Sequence, residues 1–281
     1  MTLLVGSAAA AALVIVFAAI IVSPSLPDLN VLTDYQPKVP LRIFSLEGQL
    51  IGEFGEERRA VVKIEAVPKG MRDAILAAED ERFYQHGGVD YLGVIRAALS
   101  NFVSGGARQG ASTITMQVAR NFFLSKEKTL TRKFTEVLLA FKIEHSLSKD
   151  QILELYVNQI YLGQRAYGFA AAAQIYFGKP LDQISLAEMA MLAGLPKAPS
   201  SFNPVVNLKR AKLRQQYVLR RMRELGFITD DQWQSADKQV LAVKKYVNEY
   251  SVKADHFSEM VRQIMFDRFK DEAYTSGFRV Y

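Results

Sequence analysis

The sequence predicts a mainly α-helical domain, led by one transmembrane helix and a short β-hairpin. Three observations carry that prediction. Ser or Thr followed three residues on by Gln or Glu recurs at Ser148/Gln151, Ser185/Glu188 and Thr229/Gln232, the reciprocal pairing that satisfies orphan donors where a helix starts. An apolar run is uncharged from Leu3 to Val22, matching the roughly 20 residues that cross a bilayer. Between them, "LRIFSLEGQLIGEFG" (41–55) holds two β-like stretches around Glu47-Gly48.

In chain order, residues 3–23 are expected to be a retained anchor. A cleaved signal peptide would have a basic leader and an apolar core of roughly 7–15 residues, and no Lys or Arg precedes this span. The same lack removes the charge asymmetry that sets orientation. Residues 24–60 form a spacer and the hairpin; Pro24, Pro27, Pro37 and Pro40 stiffen the spacer. Residues 61–237 form the helical domain, with stops expected at Gly163 and at Gly194 with Pro196. In "YGFAAAAQIYFG" (167–178) small side chains let neighbouring backbones approach. Residues 238–281 read as a linker and the start of a truncated downstream domain, with an amphipathic stretch, "HFSEMVRQIMFDRF", and a strand-like end, "FRVY".

Composition excludes several chemistries. With 281 residues, 49% of them hydrophobic, the chain can bury a sizeable core without staples. It has no cysteine, so disulfides, zinc-thiolate sites and cysteine nucleophiles are out. A formal charge of +6 and a pI near 9.3 favour a polyanion: nucleic acid, anionic lipid or a phosphorylated substrate. His86, His145 and His256 lack metal-ligand spacing, whereas a cation held by carboxylates and substrate phosphates stays open. Gly105, Gly110 and Ser112 have P-loop spacing, but Ala111 replaces the lysine and no buried strand precedes them. "SKEK" and "SLSK" fit S-x-x-K without an accompanying K-T-G, which argues against a transpeptidase in this chain.

Four stretches concentrate usable chemistry. In "EDERFYQHGG" (79–88) a helix ends in Glu79, Asp80 and Glu81 beside Phe83 and His86. A carboxylate crowded by acids and apolar groups holds its proton more tightly, which suits a general acid or base; the alternative is a solvated acidic helix end. The glycine loop 104–111 leads to Ser112 or Thr113 as a helix cap, whose free N–H groups can hold an anion. Lys126, Lys128, Arg132 and Lys133 crowd eight positions, with Glu136 following Arg132 at i+4. Base-before-acid is the weaker order for a helix pair, so a phosphate clamp that keeps a carboxylate close competes with a plain salt bridge. Phe122, Phe123 and Leu124 beside these bases fit either a core or a headgroup boundary. In "KDQILELYVN" Ile152, Leu155 and Tyr156 form the buried stripe, and Glu154 with Asn158 faces elsewhere.

In order, "EDERFYQHGG", "GASTITMQVARN", "RKFTE", "KDQILELYVN" and "RQQYVLRRM" resemble the five motifs of the family 51 peptidoglycan glycosyltransferases, the polymerising module of class A penicillin-binding proteins, over residues 41–237. The resemblance implies a lysozyme-like fold of two lobes around a long cleft, one lobe touching the membrane, with a penicillin-binding domain following. It implies that lipid II and the growing glycan chain are the substrates and that moenomycin-type compounds inhibit. It also implies an extracytoplasmic domain on a single-pass anchor in the bacterial inner membrane, cell-wall synthesis partners and no nucleic acid.

By motif position Glu79 would be the general base, and Glu136 the second carboxylate, orienting the cations or a Mg²⁺ or Mn²⁺ ion carried by the substrate pyrophosphate. Arg132 and Lys133, with Arg120, would meet the pyrophosphate. Asp80, Phe83 and His86 would support Glu79; Ser112, Thr113 and Gln117 would line the donor side; Glu154 and Asn158 would brace the cleft. Met116 departs from the family pattern, where glutamine is usual, as does Gln215, where a second arginine is usual. The rival readings are a lysozyme-like muramidase or lytic transglycosylase, which needs no diphosphate clamp, and a non-catalytic membrane-anchored cell-wall scaffold, which needs neither Glu79 nor Glu136.

Overall fold

The computed structural model describes residues 24, 26–33, 37–103, 112–124, 129–244 and 254–281. The expected anchor, the glycine loop 104–111, and Lys126 with Lys128 lie outside the described residues. Among the described residues no helix is long and apolar enough to cross a membrane. The chain is mainly helical with a few short strands. It divides into two compact units, one built on Arg82–Ile152 with the segment before Tyr35, the other on Gln36–Glu81 and Leu153–Tyr281.

In the second unit, strands β1 (Leu41–Phe44) and β2 (Leu50–Phe54) pair antiparallel. The expected hairpin turn lies between them, Gly48 taking a φ of +82° that its lack of Cβ permits. Strands β3 (Arg58–Arg59) and β4 (Ala166–Tyr167) pair parallel. Helices α1 (Lys69–Glu79), α7 (Leu186–Ala193) and α8 (Leu208–Glu224) pack on one another. The alanine-rich helix α6 (Phe169–Phe177) is buried along nearly its whole length, and α9 (Asp230–Lys238) packs against α8. Tyr176 of α6 donates from its hydroxyl to the Leu162 carbonyl at 2.8 Å, and burial pushes the phenol up.

All three anticipated capping pairs form. Gln151 donates its N–H to Ser148 and its side-chain carbonyl accepts from the Ser148 N–H; Ser185/Glu188 and Thr229/Gln232 do the same. Such a cap contributes about 1 kcal/mol. Helix α5 (Lys149–Gln159) stops before Gly163, the expected stop. Leu162 donates instead to Ala166 at 2.9 Å and Tyr161 bridges Tyr167, so residues 160–167 form a β-type turn containing Gly163.

Helix α10 (Asp255–Phe269) and strand β5 (Arg279–Val280) return to the hairpin. The sheet order is β2-β1-β5, and Leu41, Ile43 and Ile51 share a core with Val261, Met265 and Phe278. The hairpin and the tail, which the sequence suggests as separate segments, thus close one hydrophobic cluster. They also meet at Gly52, where an added Cβ would lie 3.0 Å from the Ser258 Cβ, and Ser258 donates to the Ile51 carbonyl at 2.8 Å.

The first unit contains helices α2 (Tyr91–Val103), α3 (Ile114–Phe123) and α4 (Leu130–Ser146). Here Val89, Met116, Ala140 and Val137 form a core. Met116, one of the two departures from the family pattern, is therefore an apolar packing residue.

Gly52→Val should destabilise the protein by about 1–3 kcal/mol through overpacking against Ser258. Urea denaturation measures the loss, and amide exchange in α10 should accelerate more than exchange in α7.

Candidate active site

In the first unit the site is built on the first turns of α3 and α4. Thr113 caps α3, accepting from the Met116 N–H at 3.2 Å and donating to the Gly88 carbonyl at 2.6 Å. Gly88 has a φ of +96°, and a Cβ there would lie 3.1 Å from the backbone of Ala140. Only glycine lets this turn lie against α4 while offering its carbonyl to Thr113.

On α4 the carboxylate of Glu136 is fully buried. Lys133 reaches its Oε1 at 2.9 Å and Arg132 its Oε2 at 3.4 Å. Lys133 also donates to the Ser112 hydroxyl at 2.8 Å. The structure thus brings together four predicted residues, Ser112, Arg132, Lys133 and Glu136, at the N-terminal end of α3. The Lys133 side chain is 42% exposed. Gln117 is buried in α3, and Arg120 lies half-buried in its last turn.

Phe83 is fully buried, with His86 edge-on to it at 6.3 Å. Lys149 stands over the Phe83 ring at 4.4 Å and pairs with Glu144 at 2.7 Å, and Glu144 accepts from Thr115 at 2.5 Å. This chain of contacts, which sequence reasoning missed, fixes α3, α4 and the start of α5 behind the glycine turn.

In the second unit Glu79 is the last residue of α1 and Asp80 its buried C-cap. The expected crowding of three acids is relieved: Glu81 is ion-paired with Arg221 of α8. Glu79 has Arg214 of α8 beside it, Nη2 to Oε1 3.9 Å, with the two side chains only 9% and 12% exposed. Arg214 was also missed as a site residue. Its signal lies in periodicity, because Ala211, Arg214, Gln215, Val218, Leu219 and Met222 form the buried face of α8, where an arginine needs a partner.

Glu154 and Asn158 support backbone. Glu154 accepts from the Ile64 N–H at 2.9 Å and from Lys63 at 3.1 Å; Asn158 accepts from the Val62 N–H at 2.9 Å and donates to its carbonyl at 2.8 Å. Together they fasten the segment leading into α1, and hence the helix that ends in Glu79.

The first unit thus holds a buried carboxylate bound by two cations beside a helix N-terminus, and the second unit holds a carboxylate beside a buried arginine. The chain belongs to the transglycosylase family, whose model matches residues 47–223. It is 56% identical to penicillin-binding protein 1A of Neisseria cinerea over 95% of the chain and 34% of that protein. It is 50% identical to penicillin-binding protein 1A of Escherichia coli K12 over 92% of the chain and 31% of that protein. The crystal structure of penicillin-binding protein 1A from Haemophilus influenzae matches with a TM-score of 0.52 and 34% identity, over 87% of this chain and 27% of that one. The chain spans about a third of the length of these relatives.

Replacing Arg132 and Lys133 together by Met strips both cations from Glu136. The cost should be about 3 kcal/mol, the low end for a broken buried pair because Lys133 is partly solvated. Adding Glu136→Gln should recover most of it in urea denaturation, since the amide has no charge to solvate.

Proposed function

We propose that the chain polymerises lipid II into β-1,4-linked glycan strands, releasing undecaprenyl pyrophosphate. The observation that carries this reading is the cluster of Arg132, Lys133 and buried Glu136 with Ser112 at the start of α3. Cations beside a helix N-terminus attract an anion, and buried Glu136 keeps them in place when none is bound. A hydrolase acting on finished glycan has no diphosphate leaving group to hold.

In the reaction, Glu79 takes the proton from the 4-hydroxyl of the acceptor GlcNAc. The oxygen attacks C1 of the terminal MurNAc of the growing chain and inverts it, and the C1–phosphate bond breaks with its electron pair passing to the diphosphate. Negative charge grows there, and Arg132 and Lys133, with Arg120, meet it. Fixed cations contribute most where charge appears only in the transition state. Asp80, Phe83 and His86 support the segment that follows Glu79, while Thr113 and Gln117 shape the donor side.

Among the described residues no group of three or more His, Asp or Glu side chains could hold a metal ion. Glu136, already bound to two cations, is not free to build one. A Mg²⁺ or Mn²⁺ ion carried by the substrate's diphosphate would neutralise phosphate charge.

The reading extends to location: a domain outside the inner membrane, held by residues 3–23, where moenomycin-type inhibitors would compete with the growing chain. Tyr91, Leu92 and Ile95, more than half exposed on α2, support contact with lipid.

Purified protein in detergent should polymerise lipid II. Glu79→Gln should lower the rate by about 10³-fold or more with unchanged thermal unfolding, in the upper range for loss of a general base. Lys133→Ala should lower it about 10²-fold. Polymer formed by Glu79→Gln at the wild-type rate would remove Glu79 from the base role.

A further inference from the structure

The geometry points to Arg214 as a positioning residue for Glu79: a rigidly mounted guanidinium that holds the carboxylate charged and aimed while it accepts a proton. The inference rests on the assignment of Glu79 as the base. Arg214 is 9% exposed and lies 3.9 Å from Glu79. Its mounting has three parts, all within one unit. The Gly194 carbonyl accepts from its Nε at 3.4 Å, and the guanidinium lies over the Tyr217 ring, 4.3 Å from the centroid. Its aliphatic stem rests on Gly194, where an added Cβ would fall 2.7 Å from the Arg214 Cγ.

This explains why glycine ends α7. Gly194 has a φ of −79° and a ψ of −18°, which any residue adopts, so the requirement is space for arginine rather than backbone freedom. Next to it, Gln215 is fully buried and donates to the Ala187 carbonyl at 2.6 Å, fastening α8 to α7. The cation is delivered by a face that cannot easily rotate. A loosely held lysine on the surface would follow the substrate's charges instead.

The other ionisable groups that α7 and α8 bring to this part of the unit are already engaged. Arg221 is paired with Glu81, Glu188 with Lys179, and Tyr217 lies under Arg214. On the Glu79 side, Asp80 is the buried cap of α1, and Asp73 is paired with Lys69. Arg214, 3.9 Å from Glu79 and fixed on its own helix face, is a cation placed to influence when Glu79 ionises.

The test compares the pH–rate profiles of lipid II polymerisation for the wild-type chain, Arg214→Met, Arg214→Lys and Gly194→Ala, each checked by thermal unfolding. Arg214→Met should lower kcat about tenfold or more with little change in KM, since Arg214 acts on the base and not on the substrate. Its acid limb should move up by about one pH unit, because a carboxylate deprived of a neighbouring cation ionises less readily. Arg214→Lys should restore the limb. Gly194→Ala, which keeps every charge but displaces the arginine, should reproduce a smaller shift. An acid limb that stays in place in folded Arg214→Met, or a kcat loss that Arg214→Lys does not rescue, overturns the inference. Failure of the base assignment is distinct: there Glu79→Gln itself would remain active.

Discussion

The buried Glu136 carboxylate is the constraint around which the first unit is arranged. A fully buried charge is tolerated only if its surroundings replace the water it has lost. Lys133 and Arg132 do so from the same helix, one turn to its N-terminal side. That is the weaker order for an exposed helix pair, because the cations then crowd a positive helix end. The arrangement makes sense if stability is not its purpose. Cations at a helix N-terminus repel one another and the dipole, and the buried carboxylate offsets that repulsion. Lys133 extends the effect by binding Ser112, which links α4 to the segment entering α3.

Much of this was legible in the sequence because it is local. Capping boxes are set by residues three apart, and all three form where the pattern puts them. The hairpin turn, the buried stripe of Ile152, Leu155 and Tyr156, and the Arg132–Glu136 pair follow from spacing within one element. The two departures from the family pattern also have packing explanations: Met116 fills a small core and Gln215 bonds a neighbouring helix's carbonyl.

What was not legible is non-local. Glu79, Asp80 and Glu81 look like one acidic cluster in the sequence, but α8 separates them electrostatically by giving Glu81 to Arg221 and placing Arg214 beside Glu79. Nothing within a few residues of Glu79 encodes that partner. Likewise the return of α10 and β5 to the hairpin rests on pairing, packing and a fit between Gly52 and Ser258, all between segments distant in the chain. Periodicity shows that a face is buried; it does not show against what.

Glycine links these two scales. At Gly88 the requirement is conformational, a positive φ that lets a turn lie against α4. At Gly194 it is volumetric, a missing methyl that admits the stem of Arg214. In both cases the absent side chain creates a fixed place for a polar group of another element: the Gly88 carbonyl for Thr113, the Gly194 carbonyl for Arg214. Sequence reading tends to treat glycine as punctuation between helices. Here Gly88 and Gly194 do more than end a segment, since each fixes where a polar side chain of another element, Thr113 or Arg214, is held.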